Sequence, residues 1–152
     1  MFCLKLLFCS ILIFSLQKYS FAKTGKCRKV TSGLCKDIIS YKFSLPTLLK
    51  HTKRRSANKA IRMFDPFIKM NCSPYLRPFL CTVFFAPCNR KGAKLPCRSL
   101  CEGAKSGCAN IMERLGFVVP EALSCDKFPK QTSTSHCIQP ESFDLLPMKK
   151  QQ

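Results

Sequence analysis

LPCRSLCEGAKSGCANIMERLGF, residues 95–117, carries three cysteines in a segment that reads as one helix. At about 100° per residue, the steps from Cys97 to Cys101, Cys108, Met112 and Leu115 all return to one side. The spacing predicts an amphipathic helix whose cysteine face points at a core. Gly116 stands where a left-handed residue would stop it. Gly103 and Gly107, four apart on this helix, lower its propensity and mark a close backbone approach by a neighbour. A buried face alone would explain such a stripe, so what the cysteines do depends on the rest of the chain.

The N-terminus bears on the compartment. MFCLKLLFCSILIFSLQKYSFA has Lys5, an apolar run of 11 residues from Leu6 to Leu16, and small residues at Ser20 and Ala22. This is the pattern of a secretory signal peptide spanning residues 1–22. Its run is too short to span a bilayer, which needs about 20 apolar residues. Cleavage after Ala22 would remove Cys3 and Cys9 and leave ten of the 12 cysteines. An even number in a secreted chain reads as five disulfides, each contributing about 2–4 kcal/mol to a modest core. Counting cannot choose their pairing. A zinc site is disfavoured, since there is no C-x2-C pair and the 2 histidines, His51 and His136, are far apart in sequence.

Charge sets a second bound. Loss of Lys5 and Lys18 with the leader would lower the formal net charge from +18 only to +16. Basic residues recur in KTGKCRK, HTKRR and NRKGAK. For a secreted protein the matching polyanion is sulfated glycosaminoglycan such as heparan sulfate, or an anionic cell surface, rather than nucleic acid. Catalysis is disfavoured, because neither histidine has a carboxylate beside it in sequence and no nucleophile or phosphate-loop motif occurs.

Local patterns complete the outline. CRKVTSGLCKDIISYKF (27–43) suggests short extended segments around a turn. SLPTLLKH (44–51) is expected to form a short helix capped by Ser44. A longer helix capped by Ser56 would carry Ala57, Ala60, Ile61, Phe64, Phe67 and Ile68 on one face. Pro66 must break it and turn apolar residues outward. SPYLRPFLC (73–81) starts as a helix on Ser73 and Pro74. Thr82–Pro87 reads as irregular, and the chain from Ile138 to Gln152 as a flexible polar tail.

The ten cysteines from Cys27 to Cys137, with NCSPYLRPFLC, LPCRSLCEGAKSGC, MERLGF and PEALSCDKFP between them, resemble the cysteine-rich domain of Frizzled receptors and secreted Frizzled-related proteins. The resemblance implies a domain over residues 23–137. It would be mainly α, small and disulfide-rich, with about four helices and a short N-terminal β-hairpin. It also implies five pairs: Cys27–Cys88, Cys35–Cys81, Cys72–Cys108, Cys97–Cys137 and Cys101–Cys125. The implied function is that of a secreted binder which sequesters, carries or presents acylated Wnt proteins, with no cofactor. The acyl chain would lie in a groove of Met63, Phe64, Pro66, Met112, Leu115, Gly116 and Phe117. A second protein contact would use Phe79, Phe84, Phe85 and Pro87. A shared lipid could also join this domain to another Frizzled-type domain. Arg62 and Asp65 make the groove rim more polar, and Leu115 leaves it wider. That rim leaves two alternatives: a sterol or other lipid in the same fold, or a cationic binder of heparan sulfate or membrane surfaces.

Overall fold

The computed structural model describes residues 26–31, 33–88, 93–133 and 136–143. The expected signal peptide and residues 144–152 lie outside them. Near the N-terminus the extended reading holds. Strand β1 (Arg28–Lys29) pairs antiparallel with β2 (Lys42–Phe43), Arg28 opposite Phe43 and Lys29 opposite Lys42. Phe43 is fully buried, and its ring meets that of Phe85 edge-on at 5.0 Å. The backbone N–H of Cys88 donates to the Lys42 carbonyl at 2.7 Å, so this ribbon is tied to the core beside the Cys27–Cys88 disulfide.

Residues 44–51 form a turn and not the expected helix. The Thr47 hydroxyl accepts the His51 N–H at 3.0 Å, and the Thr47 N–H donates to the His51 carbonyl at 3.0 Å. Lys50 sits at φ 61°, outside helical backbone space. A side chain that captures local backbone donors competes with the helix here.

Helix α1 runs Arg54–Ile61 and buries Ala57 and Ile61. It begins before the expected cap. Lys53 is its N-cap, and the Ser56 hydroxyl donates to the Lys53 carbonyl at 2.8 Å. The break imposed by Pro66 is a 3-10 turn over Arg62–Phe64, after which α2 (Asp65–Lys69) restarts with the proline in its first turn. Proline is harmless there because its missing N–H has no intrahelical partner to lose. The break does not turn every apolar residue outward. Phe64 and Phe67 are buried, whereas Met63 is 52% exposed.

Helix α3 occupies Leu76–Phe84, three residues later than the sequence pattern suggested, and takes in Thr82–Phe84 of the stretch expected to be irregular, while residues 85–87 lie outside any helix. Ser73 still caps a turn ahead of it, accepting the Tyr75 N–H at 3.2 Å and donating to the Gly103 carbonyl at 2.8 Å. Burial on all sides sustains the helix, and the Thr82 hydroxyl is satisfied by the Phe79 carbonyl at 2.7 Å. Helix α4, Arg98–Arg114, packs along α3. It ends in a Schellman turn: Phe117 N–H donates to the Met112 carbonyl at 2.8 Å and Gly116 N–H to Glu113 at 2.9 Å, with Gly116 at φ 64°. The backbone approach expected at the two glycines is present at Gly107, while at Gly103 the close neighbour is a side chain. A Cβ at 103 would press on the Tyr75 ring, and one at 107 would collide with the Cys72 carbonyl.

The five disulfides are Cys27–Cys88, Cys35–Cys81, Cys72–Cys108, Cys97–Cys137 and Cys101–Cys125, the pairs implied by the resemblance. The three cysteines on the α4 stripe therefore hold that helix to three separate segments. The stripe is buried from Cys97 to Met112 but not at Leu115, which the C-terminal turn swings out to 63% exposure. The tail does not loosen at Ile138. That residue is buried, donates its N–H to Leu95 at 2.9 Å and precedes a 3-10 turn over Pro140–Ser142, while Phe143 packs on the core.

Among the described residues, two buried side-chain oxygens lack a hydrogen-bond partner, Asp65 Oδ1 and the Tyr41 hydroxyl. Burial pushes the pKa of Tyr41 above the ordinary tyrosine value. With the folded-state pKa raised, the neutral phenol's contribution is complete below about pH 10 and is lost as pH climbs towards the folded value. Tyr41→Phe should stabilise the chain by about 1 kcal/mol at neutral pH and by more at pH 10.5. Denaturant unfolding at the two pH values checks this, and a variant less stable than the parent at both would refute it.

Candidate functional site

Between α4 and the segment from Phe117 to Cys125 lies a cavity of about 660 Å³. Two covalent or conformational anchors hold its long walls apart. At one end the Cys101–Cys125 disulfide fixes the spacing, and at the other the turn at Gly116 reverses the chain. Between these anchors α4 offers Ala104, Cys108 and Ala109, side chains too short to fill the gap. Leu76, Phe79 and Leu80 of α3 make the floor, and Phe64 and Met112 close one end. Val118, Val119, Pro120 and Leu123 form the outer wall.

Phe117 joins the broken helix to the end of α4. Its ring lies edge-on to Phe64 at 5.2 Å and to Phe67 at 4.8 Å, geometry that suits aromatic quadrupoles. The Phe79 ring meets Phe128 in the same way at 5.2 Å, which seats the segment beyond Cys125. Three charged residues line the cavity: Lys105, Glu113 and Glu121. Glu121 pairs with Lys127 at 3.2 Å, which raises the lysine's pKa. The neighbouring Asp126 carboxyl is held below its ordinary value, first by a hydrogen bond from the Ser124 side chain. Arg98 clips the same loop, its guanidinium donating to the Asp126 carbonyl at 3.2 Å and its backbone N–H to Pro129 at 2.8 Å. The arrangement is an apolar receptacle with a charged rim. Among the described residues, no group of three His, Cys, Asp or Glu is placed to hold a metal ion.

Of the seven groove residues expected from sequence, the structure brings Phe64, Met112 and Phe117 into this cavity. Met63 and Leu115 are exposed outside its lining, and so is Pro66. Gly116 has no atom within 4 Å of where a Cβ would stand, so its part is the backbone reversal and not a close approach. The expected second contact does not form a surface. Phe84 and Phe85 are buried, Phe84 stacking on His51 at 5.5 Å, and Phe79 is turned to the cavity floor. Of that group, Pro87 alone keeps partial exposure. Helix α3 continuing to Phe84 is what rotates these rings inward.

The outer wall, Val118 to Leu123, was not among the expected site residues. Its signal was present in sequence: three apolar residues, Val118-Val119-Pro120, follow Phe117 just after the glycine stop, where a surface loop would ordinarily be polar. Val118 is 84% exposed and Val119 43%.

A family model described as the Fz domain matches residues 27–132. Protein mom-5 of Caenorhabditis elegans is 42% identical over 110 residues, covering 72% of this chain and 19% of that protein. Frizzled-1 of Xenopus laevis is 38% identical over 115 residues, covering 75% of this chain and 21% of its own length. The chain thus spans about a fifth of the length of these relatives. A crystal structure of the Smoothened cysteine-rich domain matches with a TM-score of 0.55 at 21% identity, over 72% of this chain and 97% of that one. With the Fz model matched over residues 27–132 and relatives 42% and 38% identical, this chain belongs to the Fz domain family.

Proposed function

We propose that this Fz domain binds acylated Wnt-type proteins outside the cell and sequesters, carries or presents them. Fz domains are extracellular ligand-binding receptor domains. The observation that supports a lipid-directed role is the apolar cavity beside α4. Its volume of about 660 Å³ lies within the usual range for small-ligand sites. Phe64, Met112 and Phe117 would contact the acyl chain, with Val118 and Val119 as the entry lip. Burying about ten methylenes at ~0.8 kcal/mol each would contribute up to ~8 kcal/mol before association costs. Methionine suits such a wall because its flexible thioether adapts to a curved chain.

Secretion is part of the proposal. It rests on the signal-like leader and on ten cysteines joined as five disulfides, a pattern of oxidising compartments. Among the described residues no helix is long and apolar enough to cross a membrane. The exposed Met63, Leu115 and Val118 beside the cavity would also let a second Frizzled-type domain share the lipid. The test is binding of the oxidised chain to a Wnt protein and to its non-acylated form, each at low and high salt. Binding that needs the acyl group and survives 0.5 M salt supports the proposal. Equal binding of both forms would refute it, and displacement by a sterol would reassign the cavity.

A further inference from the structure

A second cleft, of about 340 Å³, shares no lining residue with the apolar cavity. Three separate segments build it: Lys26 and Arg28 around β1, Leu45 from the turn, and Thr52 to Arg55 at the start of α1. Five of its seven lining residues are cations, and all five are exposed. Among the described residues none of them pairs with a carboxylate. Arg54 is held in place by a neutral partner, donating to the Thr31 hydroxyl at 2.9 Å. Gathering like charges this closely costs folding free energy unless a counter-charge arrives.

The cationic excess is concentrated on this side of the fold. Residues 26–62 contain eleven lysines and arginines and one acid, Asp37, whereas residues 94–130 hold six cations and four acids. Helix α1 also opens on this cleft. Its first turn has no acidic residue, and its N-cap Lys53 makes no side-chain cap bond, so its leading N–H groups add to the positive field.

We propose that this cleft is a binding site for a sulfated polysaccharide chain. Three features favour that occupant. Cations on both walls of a concavity suit a linear polyanion, and the forked guanidiniums of Arg28, Arg54 and Arg55 match the paired oxygens of sulfate groups. A membrane-docking face would set exposed apolar side chains beside the cations. Among the described residues the large exposed apolar ones are Met63, Met70, Leu115, Val118 and Val119, and none lines the cleft. Nucleic acid is the less suitable polyanion for a five-disulfide chain.

The site is independent of the lipid cavity, so each can fail without the other. The test compares R28S/R54S/R55S with a control of equal charge loss on exposed residues elsewhere, K94S/R114S/K130S. Affinity is measured for a heparin decasaccharide, its desulfated form, and phosphatidylserine-containing vesicles at 0.15 M salt. Thermal unfolding confirms that each variant is folded, and K26S/K53S replaces the first triple variant if it is not. The cleft variant should lose at least about tenfold in heparin affinity and the control no more than about threefold. Desulfated heparin should not compete. Equal losses in both variants would overturn the site, and vesicle binding as strong as heparin binding, lost with the same residues, would overturn the polysaccharide assignment.

Discussion

Met112→Glu should reduce binding of an acylated Wnt protein by at least about 100-fold while leaving the chain folded. Met112 is buried at one end of the cavity, in contact range of any chain that enters past Phe64. A carboxylate there must give up water or take a proton, and either makes the lining a poor solvent for methylenes. A loss of this size corresponds to roughly 3 kcal/mol, less than the ~8 kcal/mol available from ten buried methylenes. Ala109→Leu supplies an uncharged companion. It lengthens a short side chain on the α4 wall and should weaken binding by filling the space. Binding would be followed by biolayer interferometry, with denaturant unfolding run on the same samples. Unchanged affinity in two folded variants would remove the cavity as the acyl site.

Phe85→Ala should cost about 3–5 kcal/mol of stability, the range for truncating a fully buried aromatic. Phe85 is 1% exposed and sits edge-on to Phe43, so its loss opens a cavity where the β-ribbon meets α3. A surface contact residue truncated in the same way would change stability by no more than about 0.5 kcal/mol. The two roles, core and ligand contact, thus differ by several kcal/mol in one urea titration with the disulfides intact. A shift below about 1 kcal/mol would return Phe85 to the ligand-contact role.

Some elements are legible in the residues themselves. Helix α4, its glycine stop and the close approaches at Gly103 and Gly107 all follow from local rules. The period of the cysteines selects a face, and a left-handed residue ends a helix wherever it stands. The cationic excess is composition and needs no geometry. Pairing of the cysteines is legible only through family resemblance, since chain order by itself permits many connections.

Other features could be settled only by packing. Phe84 and Phe85 lie in a run that reads as irregular, yet α3 extends to Phe84 with Phe85 at its C-terminal cap, and both are buried. The Thr47 side chain diverts residues 44–51 into a turn although the local pattern favours a helix. Ile138 looks like the start of a polar tail until the Cys97–Cys137 bond holds it against Leu95. The apolar cavity beside α4 is the clearest case. Periodicity marks the apolar residues that fill a core, but a cavity is made by residues too small to fill it, here Ala104 and Ala109. Its opposite wall comes from beyond the Gly116 turn and is joined to α4 by a bond at Cys125. Sequence alone determined which face of α4 is apolar. Tertiary structure decided what stands across from it and how far away, because that spacing is set by a disulfide and a chain reversal that no local pattern encodes.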